Sequence, residues 1–130
     1  MVELLAMREL IDQRIRSFQV AIRGVGAMLR SEFNARVHAL ATLVVVVAGF
    51  GFEIDRGEWL AISLAITAVW TAEAFNTAIE ALGDAVSEEP HPKIGRAKDI
   101  AAGGVLLAAL GATVIGAIVF GRRLIALITS

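Results

Sequence analysis

Glu73, Asn76, Glu80 and Asp84 stand at steps of three, four and four residues within an otherwise apolar stretch. At about 100° per residue the four positions fall on one stripe of a helix. Carboxylates and an amide oxygen in such a row are hard oxygen donors, suited to Mg²⁺, which commonly shares its coordination with phosphate oxygens. A carboxylate in the middle of a membrane helix costs about 2.5–3.5 kcal/mol on insertion scales, so Glu73 calls for a function or a partner. The structural alternative pairs Glu73 and Glu80 with arginines of the N-terminal segment. Glu32, Asn34 and Arg36 ahead of the first apolar run, and Lys98-Asp99 ahead of the last, can join the stripe. Carboxylates, an amide and a lysine meeting at one interface would suit a nucleotide phosphate with its metal. The chain contains neither a Gly-x4-Gly-Lys-Ser/Thr loop nor a dinucleotide fingerprint, so a nucleotide site must be built outside the common phosphate-binding folds.

The elements that must carry these groups are helices in a membrane. Hydrophobic residues make up 57% of the 130, and the mean hydropathy of +0.72 lies well above that of water-soluble domains. Cysteine is absent, which excludes disulfides and thiolate metal sites, and the net charge of −1 argues against a general nucleic-acid binder. Ile11, Ile15, Phe18, Ile22, Val25 and Leu29 recur at steps of four and three, with arginines interspersed. This pattern predicts a basic amphipathic helix lying in the membrane interface, with a helix packed on a soluble core as the alternative. The opening stretch lacks the pattern of a secretory signal, so it is expected to be retained.

Apolar runs beginning at Val37, Trp59 and Ile100 follow, separated by a charged turn at 53–58 and by the Pro90 and Pro92 break. The expected architecture is all-α: one membrane domain over residues 1–130, with an amphipathic arm at 1–35 and spans at about 36–52, 59–86 and 99–120. Counted through Arg36, the arm carries six Lys and Arg and the second loop three, against one in the first loop and two in the tail. With three spans the arm and second loop share a side, and the positive-inside bias makes that side, and the N-terminus, cytoplasmic. Gly104, Ala108, Ala112 and Gly116 form a small-residue seam for close helix packing within or between chains. His38 and His91 are expected to hydrogen-bond or pack rather than bind metal, Trp59 and Trp70 to act as interface and packing aromatics, and Glu88 to be a solvated charge.

Ser17-Phe18 and Gly24, Glu32-x-Asn34-x-Arg36-x-His38, Glu73-Ala-Phe-Asn76-Thr-Ala-Ile-Glu80-x3-Asp84 and Gly95-Arg-Ala-Lys98-Asp99-x-Ala-Ala-Gly103 together resemble the prokaryotic diacylglycerol kinase and undecaprenol kinase family, over roughly Ser17 to Phe120. The resemblance implies a homotrimer of the bacterial inner (cytoplasmic) membrane with active sites shared between subunits, transferring the γ-phosphate of MgATP to a lipid hydroxyl. It implies Glu73 as catalytic base, Glu32 and Glu80 as metal ligands, and Asn76, Glu89, His91, Lys98 and Asp99 as nucleotide-binding residues. Ser17, Arg23, Asn34 and Arg36 would then contact the lipid substrate. The Asn34-x-Arg36-x-His38 segment looks more like undecaprenol kinases than like enteric diacylglycerol kinases, although Phe33 stands where undecaprenol kinases often have arginine. A non-catalytic membrane protein or channel subunit, its acidic stripe lining an ion path, is the rival expectation.

Overall fold

The computed structural model describes residues 1–87 and 89–129. Among them the chain forms four helices and no strand: α1 (Val2–Ser31), α2 (Phe33–Gly51), α3 (Arg56–Val86) and α4 (Pro92–Thr129). The chain divides into an N-terminal unit, Met1–Phe33, and a trunk, Asn34–Ser130.

The N-terminal unit is essentially α1. Its apolar row Ile11, Ile15, Phe18, Ile22 and Val25 is exposed. The helix ends where Glu32 adopts an extended backbone while its N–H still bonds the Met28 carbonyl.

In the trunk, α2, α3 and α4 are each long and apolar enough to cross a membrane. A helix rises about 1.5 Å per residue, so the 19 residues of α2 match a hydrocarbon core of roughly 30 Å. The 31 of α3 and 38 of α4 must project beyond it. Outward apolar side chains such as Leu43, Val47, Leu64, Leu106 and Val114 are exposed, which a lipid solvent tolerates and water would not.

Two short connections fold these helices back on one another. At the first, Ile54 N–H bonds the Gly49 carbonyl and Glu53 N–H bonds the Phe50 carbonyl, with Glu53 left-handed at φ 50°. This is the Schellman termination, and its left-handed position usually holds glycine; a non-glycine residue there costs about 1–2 kcal/mol. Asp55 then caps α3: its side chain accepts from Glu58 N–H, and the Glu58 carboxylate accepts from Asp55 N–H, both at 2.9 Å. The stretch expected as a six-residue charged turn is thus a short turn, with Glu53 inside it, Asp55 capping the next helix and Arg56 and Glu58 in that helix's first turn.

The packed core lies beside this turn. Ile54, Ile62, Val119 and Phe120 are buried together, flanked by Val45, Ala48, Phe52 and Trp59. Gly49 makes room for the Trp59 ring, since a Cβ there would stand 2.7 Å from it. Arg123 donates to Glu58 through Nη1 and Nη2 at 2.8 and 2.9 Å, joining the start of α3 to the late part of α4. Halfway along, Trp70 Nε1 donates to Thr42 Oγ1 at 3.0 Å and ties α3 to α2. Of the seam residues, Ala108, Ala112 and Gly116 are partly buried while Gly104 is exposed with open space around its Cα.

Candidate active site

α3 carries the chemistry because a single helical stripe of an otherwise apolar segment is polar. Glu73 is 1% exposed and Asn76 6%, so both face the trunk interior, and Asn76 Nδ2 donates to Glu80 Oε1 at 2.9 Å one turn on. A recess of about 320 Å³ opens beside them, lined by Asn34, Val37 and His38 from α2, Glu73, Asn76 and Glu80 from α3, and Ala102, Val105, Leu106 and Ala109 from α4. The polar groups therefore come from α2 and α3, and α4 supplies an apolar wall.

One turn further along α3, Asp84 accepts a hydrogen bond from Lys98 Nζ of α4. The lysine stem reaches across because Gly83 leaves a gap: a Cβ there would stand 2.8 Å from Lys98 Cε and 2.9 Å from Ile94 Cγ2. A second recess of about 450 Å³ surrounds this pair and is closed by Ser87, Glu89, Pro90 and His91 of the connecting segment. Ser87 Oγ donates to the Glu89 carbonyl, and His91 Nδ1 accepts from Lys93 N–H, so the segment is held by its own polar groups. Glu88 lies outside the described residues.

Depth distinguishes the two recesses. With Trp59 taken as the start of the span, as the sequence suggests, a core of roughly 30 Å takes about 20 helical residues and ends near Ile79. On this count Glu73 lies about 9 Å inside the hydrocarbon, Glu80 at its limit and Asp84 about 8 Å beyond it. On the same count the residues of the first recess stand nearer the hydrocarbon than those of the second.

The expected residues sort accordingly. The trunk gathers Asn34, Glu73, Asn76 and Glu80 in one recess and Glu89, His91 and Lys98 in the other. Asp99 and Arg36 are exposed and line neither. Ser17, Arg23 and Glu32 belong to the N-terminal unit, where Ser17 Oγ donates to the Gln13 carbonyl and Arg23 Nε to the Gln19 carbonyl.

For a magnesium ion the donor chemistry of the first recess fits. Asn76 Oδ1 is a buried acceptor with no hydrogen bond among the described residues, and the Glu80 carboxylate lies beside it. No cluster of three or more acidic or histidine side chains occurs among the described residues. Mg²⁺ needs none, since it is usually held by one or two carboxylates with substrate phosphates and water.

Two contributors escaped the sequence reading of the site. Gly83 continues the stripe three residues after Glu80, and a glycine inside a helix, costing about 1 kcal/mol against alanine, signals a close approach. His38, expected to hydrogen-bond or pack, lies in the site itself, its Nε2 3.8 Å from Glu73 Oε2.

Residues 19–120 match the family described as prokaryotic diacylglycerol kinase. The chain is 36% identical over 117 residues to the undecaprenol kinase of Bacillus subtilis (strain 168), an alignment covering 90% of this chain and 95% of that protein. It is 33% identical over 101 residues to a diacylglycerol kinase of Synechocystis sp., covering 77% of this chain and 58% of the relative. With the diacylglycerol kinase of Escherichia coli (strain K12) it shares 30% identity over 92 residues, covering 71% and 75%. Three membrane-length helices, an inward stripe of carboxylates and this extended similarity together make the chain a member of the prokaryotic diacylglycerol kinase family.

Proposed function

We propose that the protein is an integral-membrane lipid kinase that transfers the γ-phosphate of MgATP to the hydroxyl of a lipid alcohol, undecaprenol or diacylglycerol. The observation that carries this reading is the course of the α3 stripe, from the buried Glu73 to the exposed Asp84 paired with Lys98. A lipid hydroxyl and a nucleotide phosphate can meet along that line without either leaving its own phase.

In the reaction Glu73 accepts the hydroxyl proton. The lipid oxygen bonds to the γ-phosphorus, the bond from that phosphorus to the β,γ-bridging oxygen breaks, and ADP departs. Lys98 offsets the charge of the phosphates, with Glu89, His91 and Asp99 contacting the nucleotide. Phosphoryl transfer is mostly a matter of positioning and electrostatics, so these groups suffice without a covalent intermediate. Asn76 and Glu80 are the trunk's metal ligands, and the family resemblance adds Glu32. A magnesium ion held by these residues would supply neutralisation of the phosphate charge. Ser17, Arg23, Asn34 and Arg36 contact the lipid headgroup.

Asn76 Oδ1 and Thr77 Oγ1 are buried without hydrogen bonds among the described residues. Burying such groups unpaired is costly, which supports a site completed by ligands and by neighbouring copies in a homotrimer. The excess of Lys and Arg in the arm and second loop supports an N-terminus and a nucleotide side facing the cytoplasm, across the bacterial inner membrane.

The similarity to the Bacillus relative extends along nearly the whole of both chains, and with Asn34-x-Arg36-x-His38 it favours undecaprenol as substrate. The test is transfer of label from MgATP by the purified protein in mixed micelles, with undecaprenol and diacylglycerol offered separately and in competition. Preferential labelling of undecaprenol is the expected result. Preferential labelling of diacylglycerol would reverse the choice of substrate, and labelling of neither would leave the acidic stripe to an ion path.

A further inference from the structure

We propose that His38 is a positioning residue for Glu73: its Nε2–H donates to Glu73 Oε2 and so holds the carboxylate in the orientation in which it takes the lipid proton. The inference rests on the kinase reading above and assigns the role of orienting the base.

The geometry leaves His38 one suitable partner. Its Nε2 is buried and makes no hydrogen bond among the described residues, and the carboxylate oxygen Glu73 Oε2 lies 3.8 Å away. Of the other groups lining this recess, Asn34 makes no hydrogen bond to His38 Nε2 among the described residues, and Asn76 is bonded to Glu80. The α4 residues there are all apolar. The titratable groups of the recess are therefore His38, Glu73 and Glu80, and Glu80 is already held by Asn76.

The gap is roughly 1 Å longer than a hydrogen bond between these atoms. Catalytic hydrogen bonds are often long before substrate binds and tighten in the reacting complex. The imidazole is also placed to be held firmly. It lines a further, largely apolar recess of about 260 Å³ with Ala41, Thr42, Val45, Val69 and Ala112, so one ring bounds both the polar and the apolar space. Only 17% of the side chain is exposed. A neutral imidazole has one N–H to give and one acceptor nitrogen, and a base whose second oxygen is fixed by a donor follows the logic of nucleophile, base and orienting group.

The test uses the full chain in mixed micelles and compares wild type with His38→Ala, His38→Gln and His38→Phe, reading kcat, KM for both substrates and thermal unfolding. The expected result for His38→Ala is a fall in kcat of about 10²-fold, the scale of a misplacement of 1 Å, with both KM values little changed. Added imidazole restores part of the rate to His38→Ala but not to His38→Phe, whose ring fills the space, and His38→Gln, which keeps an N–H donor, is faster than His38→Ala. Combined with Glu73→Gln, His38→Ala causes no further loss, as for groups that act as a unit. A folded His38→Ala protein with wild-type kcat overturns the inference, as does a loss that imidazole and glutamine both fail to relieve. If wild-type protein phosphorylates neither lipid, the kinase reading fails with it. If wild type is active and only the His38 pattern fails, the kinase reading stands.

Discussion

At one end of the α3–α4 pair, Glu58 completes a capping box and holds Arg123 at two points, over buried Ile54, Ile62, Val119 and Phe120. At the other end Asn76 Oδ1 and Thr77 Oγ1 are buried without hydrogen bonds among the described residues, and two recesses open between the helices. At the first end apolar side chains are buried together and the charged pair is satisfied; the second keeps buried polar groups without hydrogen bonds. Antiparallel helices that must hold a costly site at one end can be anchored at the other. Substitutions at the two ends should therefore separate stability from turnover.

The largest effect is expected at Glu73. Glu73→Gln keeps the shape of the side chain and removes its capacity to accept a proton, so turnover should fall by about 10²–10⁴-fold, the usual range for a general base. Labelled-phosphate transfer measures this, and unfolding in the same micelles should stay near wild type. Retained turnover would remove Glu73 from the role of base.

Next come Glu80→Gln and Glu32→Gln, each expected to raise the Mg²⁺ concentration needed for half-maximal activity, read by titrating the metal at saturating ATP. An unchanged titration for either variant would exclude that residue as a ligand.

A matched pair of glycine substitutions divides the two ends most directly. A Cβ at Gly83 meets Lys98 and Ile94, and one at Gly49 meets the Trp59 ring, all within 3 Å. Gly83→Ala should displace Lys98 from Asp84 and raise KM for MgATP. Gly49→Ala should cost stability, about 1–3 kcal/mol for overpacking, while KM for MgATP holds. If the two variants behave alike, the division between the ends fails.

The smallest effect is expected for Arg123→Met, which removes the ion pair with Glu58 and keeps the apolar stem. It should lower the unfolding temperature slightly, more so at low salt where the pair is less screened, and leave kcat unchanged.

The three membrane helices and the α3 stripe were legible because both depend on period and length. Apolar runs of spanning size have few alternatives, and Glu73, Asn76 and Glu80 recur at helical spacing. The pairing of charges was less accessible. Lys98 meets Asp84 across the Pro90 and Pro92 break, and Glu58 meets Arg123 at a separation of 65 residues; neither is fixed by helix periodicity. Asp55-x-x-Glu58 is a recognisable capping box, yet its four charges in six residues also read as a turn. His38 was hardest to place, because a lone histidine near the start of an apolar helix acquires a role only when another helix brings a carboxylate to it.

Because the polar stripe runs along α3 rather than across it, the site has a fixed position on the bilayer normal. The lipid must match that position to within about a helical turn. A thicker bilayer would draw Glu80 below the surface, away from aqueous metal and nucleotide, whereas a thinner one would raise Glu73 into water and away from the lipid hydroxyl. Tilting can absorb part of such a mismatch, at a modest cost for each ångström. The reaction would then have an optimum in acyl-chain length of the surrounding lipid, set by the distance between Trp59 and Glu80 rather than by any contact with those chains.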